Sequence, residues 1–131
     1  MSHDRTLIPA LIASLISKAG NPGTVIAVQF TASWCGPCKN IGPKFQEMSG
    51  KYTNILYRKI DVDDNEEIQE KCEVKQMPTF MFYKDGEKLF EFTGDKPDML
   101  KLKLNFYNKR STAPSGGPVA KKARTDGHFT A

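Results

Sequence analysis

The sequence predicts an α/β domain in which helices cover both faces of a central mixed β-sheet. Three observations carry this prediction. Segments of helical and strand character alternate along the chain in the order α-β-α-β-α-β-β-α. One of them, Thr24 to Thr31, is nearly continuously apolar through Val25, Ile26, Ala27, Val28 and Phe30, as a strand covered on both faces requires. Finally, Asp85-Gly86 separates two short apolar runs and reads as the turn of an antiparallel hairpin.

Taken in order, Leu7, Ile8, Leu11, Ile12, Leu15 and Ile16 recur at helical spacing, with Pro9 near the start and Gly20 past the end. Asn21-Pro22-Gly23 makes a turn into the strand at Thr24–Thr31. The segment Trp34-Cys35-Gly36-Pro37-Cys38 follows that strand's C-terminal end and opens a helix running to about Lys51, with a kink expected at Pro43. Ile55 to Val62 reads as a second strand and Asn65 to Glu73 as a short acidic helix. Thr79–Tyr83 and Lys88–Phe92 form the hairpin. Pro97 opens a last helix with Leu100, Leu104 and Tyr107 along one face.

A chain of 131 residues fits one domain plus a tail and can bury a modest core without disulfide staples. Its 39% hydrophobic and 26% charged content are those of an ordinary globular protein, so the net charge of +4 is the feature to locate. From Asn108 onward Lys109, Arg110, Lys121, Lys122 and Arg124 face one acid, Asp126, and residues 1–107 hold 14 basic and 14 acidic residues. The basic balance therefore belongs to the tail. Residues 1–108 are assigned to the domain and 109–131 to a disordered basic tail, whose composition turns at Ser111 into Ala113-Pro114-Ser115-Gly116-Gly117-Pro118. The Lys121-Lys122-Ala123-Arg124 cluster has the form of a weak nuclear import signal, or of a nucleic-acid contact, weighed against plain solvated charge. Membrane and nucleic-acid partners are not expected.

Three cysteines are too few for a secreted disulfide framework, and the odd count leaves one unpaired. The apolar run Leu7–Ile16 has a signal peptide's hydrophobicity, but Asp4 offsets Arg5, Pro9 sits early, and the next strand follows too soon after Ala19-Gly20. A reducing, cytoplasmic location is the expectation.

Cys35 and Cys38 form the chemical centre. Cysteines separated by two residues close a disulfide readily at a helix start. At the mouth of the helix, unpaired N–H groups and the helix dipole favour an anion, shifting Cys35 toward the attacking thiolate. Cys38, one turn in and more buried, stays protonated longer and resolves the mixed disulfide. Pro37 is tolerated in the first turn and stiffens the loop, and Gly36 leaves the sulfur approachable. Half of a zinc site is the competing reading, but no second C-x-x-C exists and the only histidines are His3 and His128 near the ends, so no metal site is expected.

Trp34-Cys35-Gly36-Pro37-Cys38-Lys39, Met77-Pro78-Thr79-Phe80 and the Lys84-Asp85-Gly86 turn together resemble the thioredoxin family. Asp61-Val62-Asp63-Asp64-Asn65 and Cys72-Glu73-Val74 look like its animal cytosolic members. Asn40-Ile41-Gly42-Pro43-Lys44-Phe45 is also similar to larger thioredoxin-like cytosolic proteins, which keeps a divergent paralogue in view. The likeness covers about Thr24 to Tyr107 and implies the thioredoxin fold. It also implies that Pro78 is a cis-proline facing the sulfurs and exposing the Met77 backbone to an extended substrate segment, against an ordinary trans turn. Trp34 then covers the dithiol as part of the docking surface, although an isolated Trp is otherwise more often core. Gly94 admits a substrate chain, or is a plain turn before Pro97. Asp63 supports Trp34 and Lys59 lies near the buried acid site, or both are solvated charges. Cys72 matches a cysteine of animal thioredoxins and is either regulatory, by oxidation or intermolecular pairing, or a small apolar residue on a short helix.

Two departures stand out. The strand before the motif carries Gln29 where the family usually has a buried aspartate that helps deprotonate the second cysteine. An amide hydrogen-bonds but takes no proton at neutral pH, so slower resolution by Cys38 is expected. The family's first strand is not found before Leu7. The expected function is a protein disulfide reductase that needs no bound cofactor, is recharged by an NADPH-dependent thioredoxin reductase, and acts on oxidised proteins such as peroxiredoxins. The alternative is a redox-sensing adaptor whose dithiol state controls binding to a signalling partner. An oxidase or isomerase is disfavoured, because Gly36-Pro37 between the cysteines resembles the family's reducing members.

Overall fold

Seven consecutive buried residues make β1 (Val25–Thr31) the centre of the sheet in the computed structural model, which describes residues 22–114. The elements that follow are α1 (Gly36–Ser49), β2 (Leu56–Asp61), α2 (Glu66–Lys71), β3 (Thr79–Lys84), β4 (Glu87–Thr93) and α3 (Pro97–Asn108). The helix expected over Leu7–Ile16 and the chain beyond Pro114 lie outside the described residues. The strand order is β2-β1-β3-β4, with β2 parallel to β1 and the other neighbours antiparallel, so the sheet is mixed as expected.

The alternation of β1 divides the core into two. Val25 and Ala27 meet Ile41 and Phe45 of α1 and Leu100 and Leu104 of α3. Ile26, Val28 and Phe30 face the other way, into a cluster that holds Cys35 and Cys38 and has Ile68 and Cys72 packed against it from α2 and its end. Helices thus lie on both faces. The hairpin turn places Asp85 at φ +52° and Gly86 at φ +84°, the pair of left-handed residues that matches the strands' twist.

Most element ends shift by one or two residues from expectation, and two differences have a structural cause. The short acidic helix stops at Lys71 rather than Glu73, because Glu73 itself turns left-handed at φ +59°. Val74 N–H then reaches back to Gln69 C=O and Glu73 N–H to Glu70 C=O, a Schellman closure built without glycine. The second difference lies at the start of the assigned tail. Ser111 Oγ accepts the Val25 N–H at 2.7 Å and donates to the Asn54 carbonyl at 2.6 Å. Thr112 N–H donates to Gly23 C=O, and Thr24 Oγ1 donates to Thr112 C=O. Residues 111 and 112 therefore strap the end of α3 to the start of β1, satisfying a backbone group that the sheet leaves unpaired. α1 runs on through Pro43.

Strand register assembles the site. Thr31, the last residue of β1, pairs with Asp61, which brings the chain after β2 beside the loop before α1. Phe30 pairs with Thr79 and Thr79 with Thr93, so Pro78 and Gly94 arrive together at the end of the sheet where β1 hands over to the cysteines.

Candidate active site

Cys35 is the N-cap of α1, extended at φ −92° and ψ 110°, and its Sγ accepts the Cys38 N–H at 3.2 Å. One of the four N–H groups that every helix start leaves unpaired is thus aimed at the first sulfur. Pro37 occupies the first turn, where its missing N–H costs nothing, and no side chain would crowd the space beside Gly36. Cys35 and Cys38 are joined as a disulfide, with Cα atoms 5.3 Å apart. The two cysteines differ little in exposure, 5% and 3%, so burial does not divide their roles. Their positions differ: Cys35 caps the helix, while Cys38 lies inside its first turn.

Around this pair the other expected residues fall into three groups. Trp34 is 66% exposed rather than core, and its Nε1–H donates to Asp63 Oδ1 at 3.2 Å. The Met77–Pro78 peptide is cis, and Met77 packs against the cluster that contains both cysteines. Gly94, at φ +107°, donates its N–H to the Pro78 carbonyl at 2.8 Å, so the turn requires glycine and joins the two loops.

On β1, Gln29 is 1% exposed, and neither its Nε2 nor its Oε1 has a hydrogen-bond partner among the described residues. Its register partners are Lys59 on β2 and Phe80 on β3. Lys59 is exposed and lines a cavity of about 290 Å³ together with Cys38, Lys39, Thr31, Gln46 and Asp61. Solvent thus reaches the second cysteine along a wall that carries two lysines and one carboxylate.

Cys72 stands apart from this chemistry. It caps the end of α2, is half-buried, and its thiol is pushed up to about 11 by burial, with Lys88 opposing the rise and Glu91 adding to it. Two features had no signal in the sequence. They are the Asn40 Nδ2–H donated to Asp95 Oδ2 at 2.6 Å, between residues 55 positions apart, and the Ser111 strap.

Residues 14–105 match the family model described as Thioredoxin. Thioredoxin from Ictalurus punctatus is 47% identical over 95 residues, covering 71% of this chain and 87% of that protein. Human thioredoxin is 46% identical over 81 residues, covering 62% of this chain and 77% of that protein. Among solved structures, thioredoxin from Fasciola hepatica superposes with a TM-score of 0.67 at 38% identity, covering 73% of this chain and 90% of the other. With a Cys-Gly-Pro-Cys disulfide at a helix N-cap, on this sheet order, the chain belongs to the thioredoxin family of protein disulfide oxidoreductases.

Proposed function

We propose that the chain is a general protein disulfide reductase in which Cys35 attacks, Cys38 resolves, and an NADPH-dependent thioredoxin reductase restores the dithiol. The observation that carries this reading is the Cys35 sulfur at the helix N-cap, accepting the Cys38 N–H with the Cys38 sulfur within disulfide reach. In the reduced protein a thiolate at Cys35 keeps that hydrogen bond and sits at the positive end of the helix dipole. It attacks one sulfur of the substrate disulfide, forming a Cys35–substrate bond and expelling the other substrate sulfur, which takes up a proton. Cys38 then gives up its proton and attacks Cys35 Sγ. The Cys35–Cys38 disulfide closes and the second substrate thiol leaves, so two electrons pass to the substrate.

The substrate is read as an extended segment of an oxidised protein, of which a peroxiredoxin is one example. It lies along Met77 and Pro78 beside Gly94, with Trp34 as a docking face. Gly36, Pro37, Gln29 and Lys59 tune the pair. A cytoplasmic setting fits the animal relatives, and no described helix is long and apolar enough to cross a membrane. One observation favours the second reading, a redox-sensing adaptor: the buried position on β1 that the family usually fills with an aspartate holds Gln29, an amide that takes no proton.

Insulin reduction with thioredoxin reductase and NADPH separates the two. The reductase reading expects sustained NADPH oxidation that Cys35→Ser abolishes, while Cys38→Ser accumulates a mixed disulfide with substrate. Negligible turnover by a dithiol that still oxidises and reduces supports the adaptor instead.

A further inference from the structure

We propose that Asn40 and Asp95 form a clasp that holds the Gly94 loop at its distance from α1, making them positioning residues for protein substrates but not for small disulfides. The proposal rests on the reductase reading above and adds a determinant of which disulfides are served. Three chain segments surround the dithiol: the start of α1, the Met77–Pro78 turn, and the Gly94-Asp95 loop. Gly94 N–H to Pro78 C=O at 2.8 Å joins the second to the third. Asn40 Nδ2–H to Asp95 Oδ2 at 2.6 Å joins the third to the first.

Both ends of the clasp stand on rigid supports. Asn40 lies two residues beyond Cys38 on the exposed side of α1, whose other side is fixed in the core by Ile41 and Phe45. Asp95 stands just before α3, which Leu100 and Leu104 anchor in the same core. An amide donating to a carboxylate is a charge-assisted bond, stronger and shorter than one between neutral groups. With it, the loop is held to α1 as well as to the Met77–Pro78 turn; without it, the Gly94–Pro78 bond ties the loop to that turn alone. An extended polypeptide has to fit among all three segments, whereas a small aromatic disulfide needs only the Cys35 sulfur.

The test uses the full chain with Asn40→Ala, Asp95→Ala, the double variant, and the exchanged pair Asn40→Asp/Asp95→Asn. KM and kcat for insulin are read with thioredoxin reductase and NADPH. The reaction of the pre-reduced protein with 5,5′-dithiobis(2-nitrobenzoate) gives the small-disulfide rate. Each single variant should raise the insulin KM about two- to fivefold, the range of one exposed polar pair, with kcat and the small-disulfide rate held. The double variant should be no worse than either single one, and the exchanged pair should recover most of the loss. Effects that multiply in the double variant, a loss confined to Asp95→Ala, or equal losses with the small disulfide overturn the clasp. Amide exchange at Gly94 reads it independently of turnover: both single variants should speed exchange alike, and unchanged exchange refutes the proposal. A wild-type protein that fails to reduce insulin, yet shows the exchange effect, refutes the reductase reading and leaves the clasp standing as a structural tie.

Discussion

Replacing Gln29 by Met should stabilise the protein by about 2 kcal/mol. Gln29 is 1% exposed on the central strand, and neither polar atom of its amide has a hydrogen-bond partner among the described residues. A buried polar group left unsatisfied costs about 1–3 kcal/mol, and the amide carries one donor group and one acceptor. Met has the same unbranched length and no group that needs a partner, so the cavity and overpacking terms of a core substitution stay small. Taking the low end of the cost for each of the two groups gives the figure of about 2 kcal/mol. In a domain of this size it corresponds to a rise in Tm of roughly 10 °C. Urea denaturation of the oxidised protein, read by circular dichroism, measures the change directly, and an unchanged m-value confirms that the unfolded state is not responsible. A loss of stability, or none gained, refutes the reasoning, since it means that solvent entering from the Lys59 side satisfies the amide. On the proposal that Gln29 tunes the cysteine pair, the same variant should resolve mixed disulfides more slowly. Stability and activity would move in opposite directions at one residue.

The remaining predictions concern a buried acid, a shielded thiol and the strap. Gln29→Asp puts a carboxyl where burial raises its pKa, so its stability contribution falls as pH rises through that value, while disulfide reduction gains on wild type over the same range. A reduction rate equal to wild type from about pH 6 to about pH 9 counts against a proton-accepting role at this position. Cys72, held at about 11, has roughly 300-fold less thiolate near neutral pH than a free thiol of about 8.5. Its higher intrinsic nucleophilicity recovers about 10- to 20-fold of that, so iodoacetamide should modify Cys72 in the oxidised protein about 20-fold more slowly than it does a small thiol. Labelling at the small-thiol rate refutes the shielding. By the same shift the oxidised protein should lose stability as pH rises from about 9 to about 11, by about 1 kcal/mol once solvent screening of the half-buried thiol is counted. Ser111→Ala removes the hydroxyl that bridges Val25 N–H and Asn54 C=O and should cost about 1–3 kcal/mol in urea unfolding, with insulin reduction unchanged. An unaltered midpoint means the strap contributes nothing.

Local chemistry was legible in the sequence wherever it is settled within one turn or one strand. The nearly continuous apolar run from Val25 to Phe30 is what a strand covered on both faces requires, and the structure buries all of it. Asp85-Gly86 specifies its turn through the backbone freedom of two residues. Cys35 and Cys38 lie within a single helical turn, so the amide that reaches the Cys35 sulfur follows from the sequence spacing. Glu73 escaped notice because it adopts the left-handed conformation usually left to glycine, with bonds from Glu73 and Val74 back into α2 closing the helix there. Ser111 and Thr112 sit where small and polar residues ordinarily mean solvent. Their role depends on Gly23, Val25 and Asn54, more than fifty positions away.

The proposed docking groove belongs to a different class of feature, since it is set by register rather than by any one segment. Pro78 and Gly94 lie sixteen positions apart and were reached in the sequence only through resemblance to a family. In the fold their proximity follows from two pairings, Phe30 with Thr79 and Thr79 with Thr93. The side-chain period of a strand is two, so a slip of one residue in β3 would turn Phe80 and Phe82 out of the core they share with α1 and α3. The aromatic packing of Phe80 on Phe45, at a centroid distance of 5.3 Å, and of Phe80 on Phe92, at 5.1 Å, therefore fixes where cis-Pro78 sits relative to Cys35. Core residues that never meet a substrate set the geometry of the groove, and the side-chain bonds from Trp34 to Asp63 and from Asn40 to Asp95 brace what the register has placed.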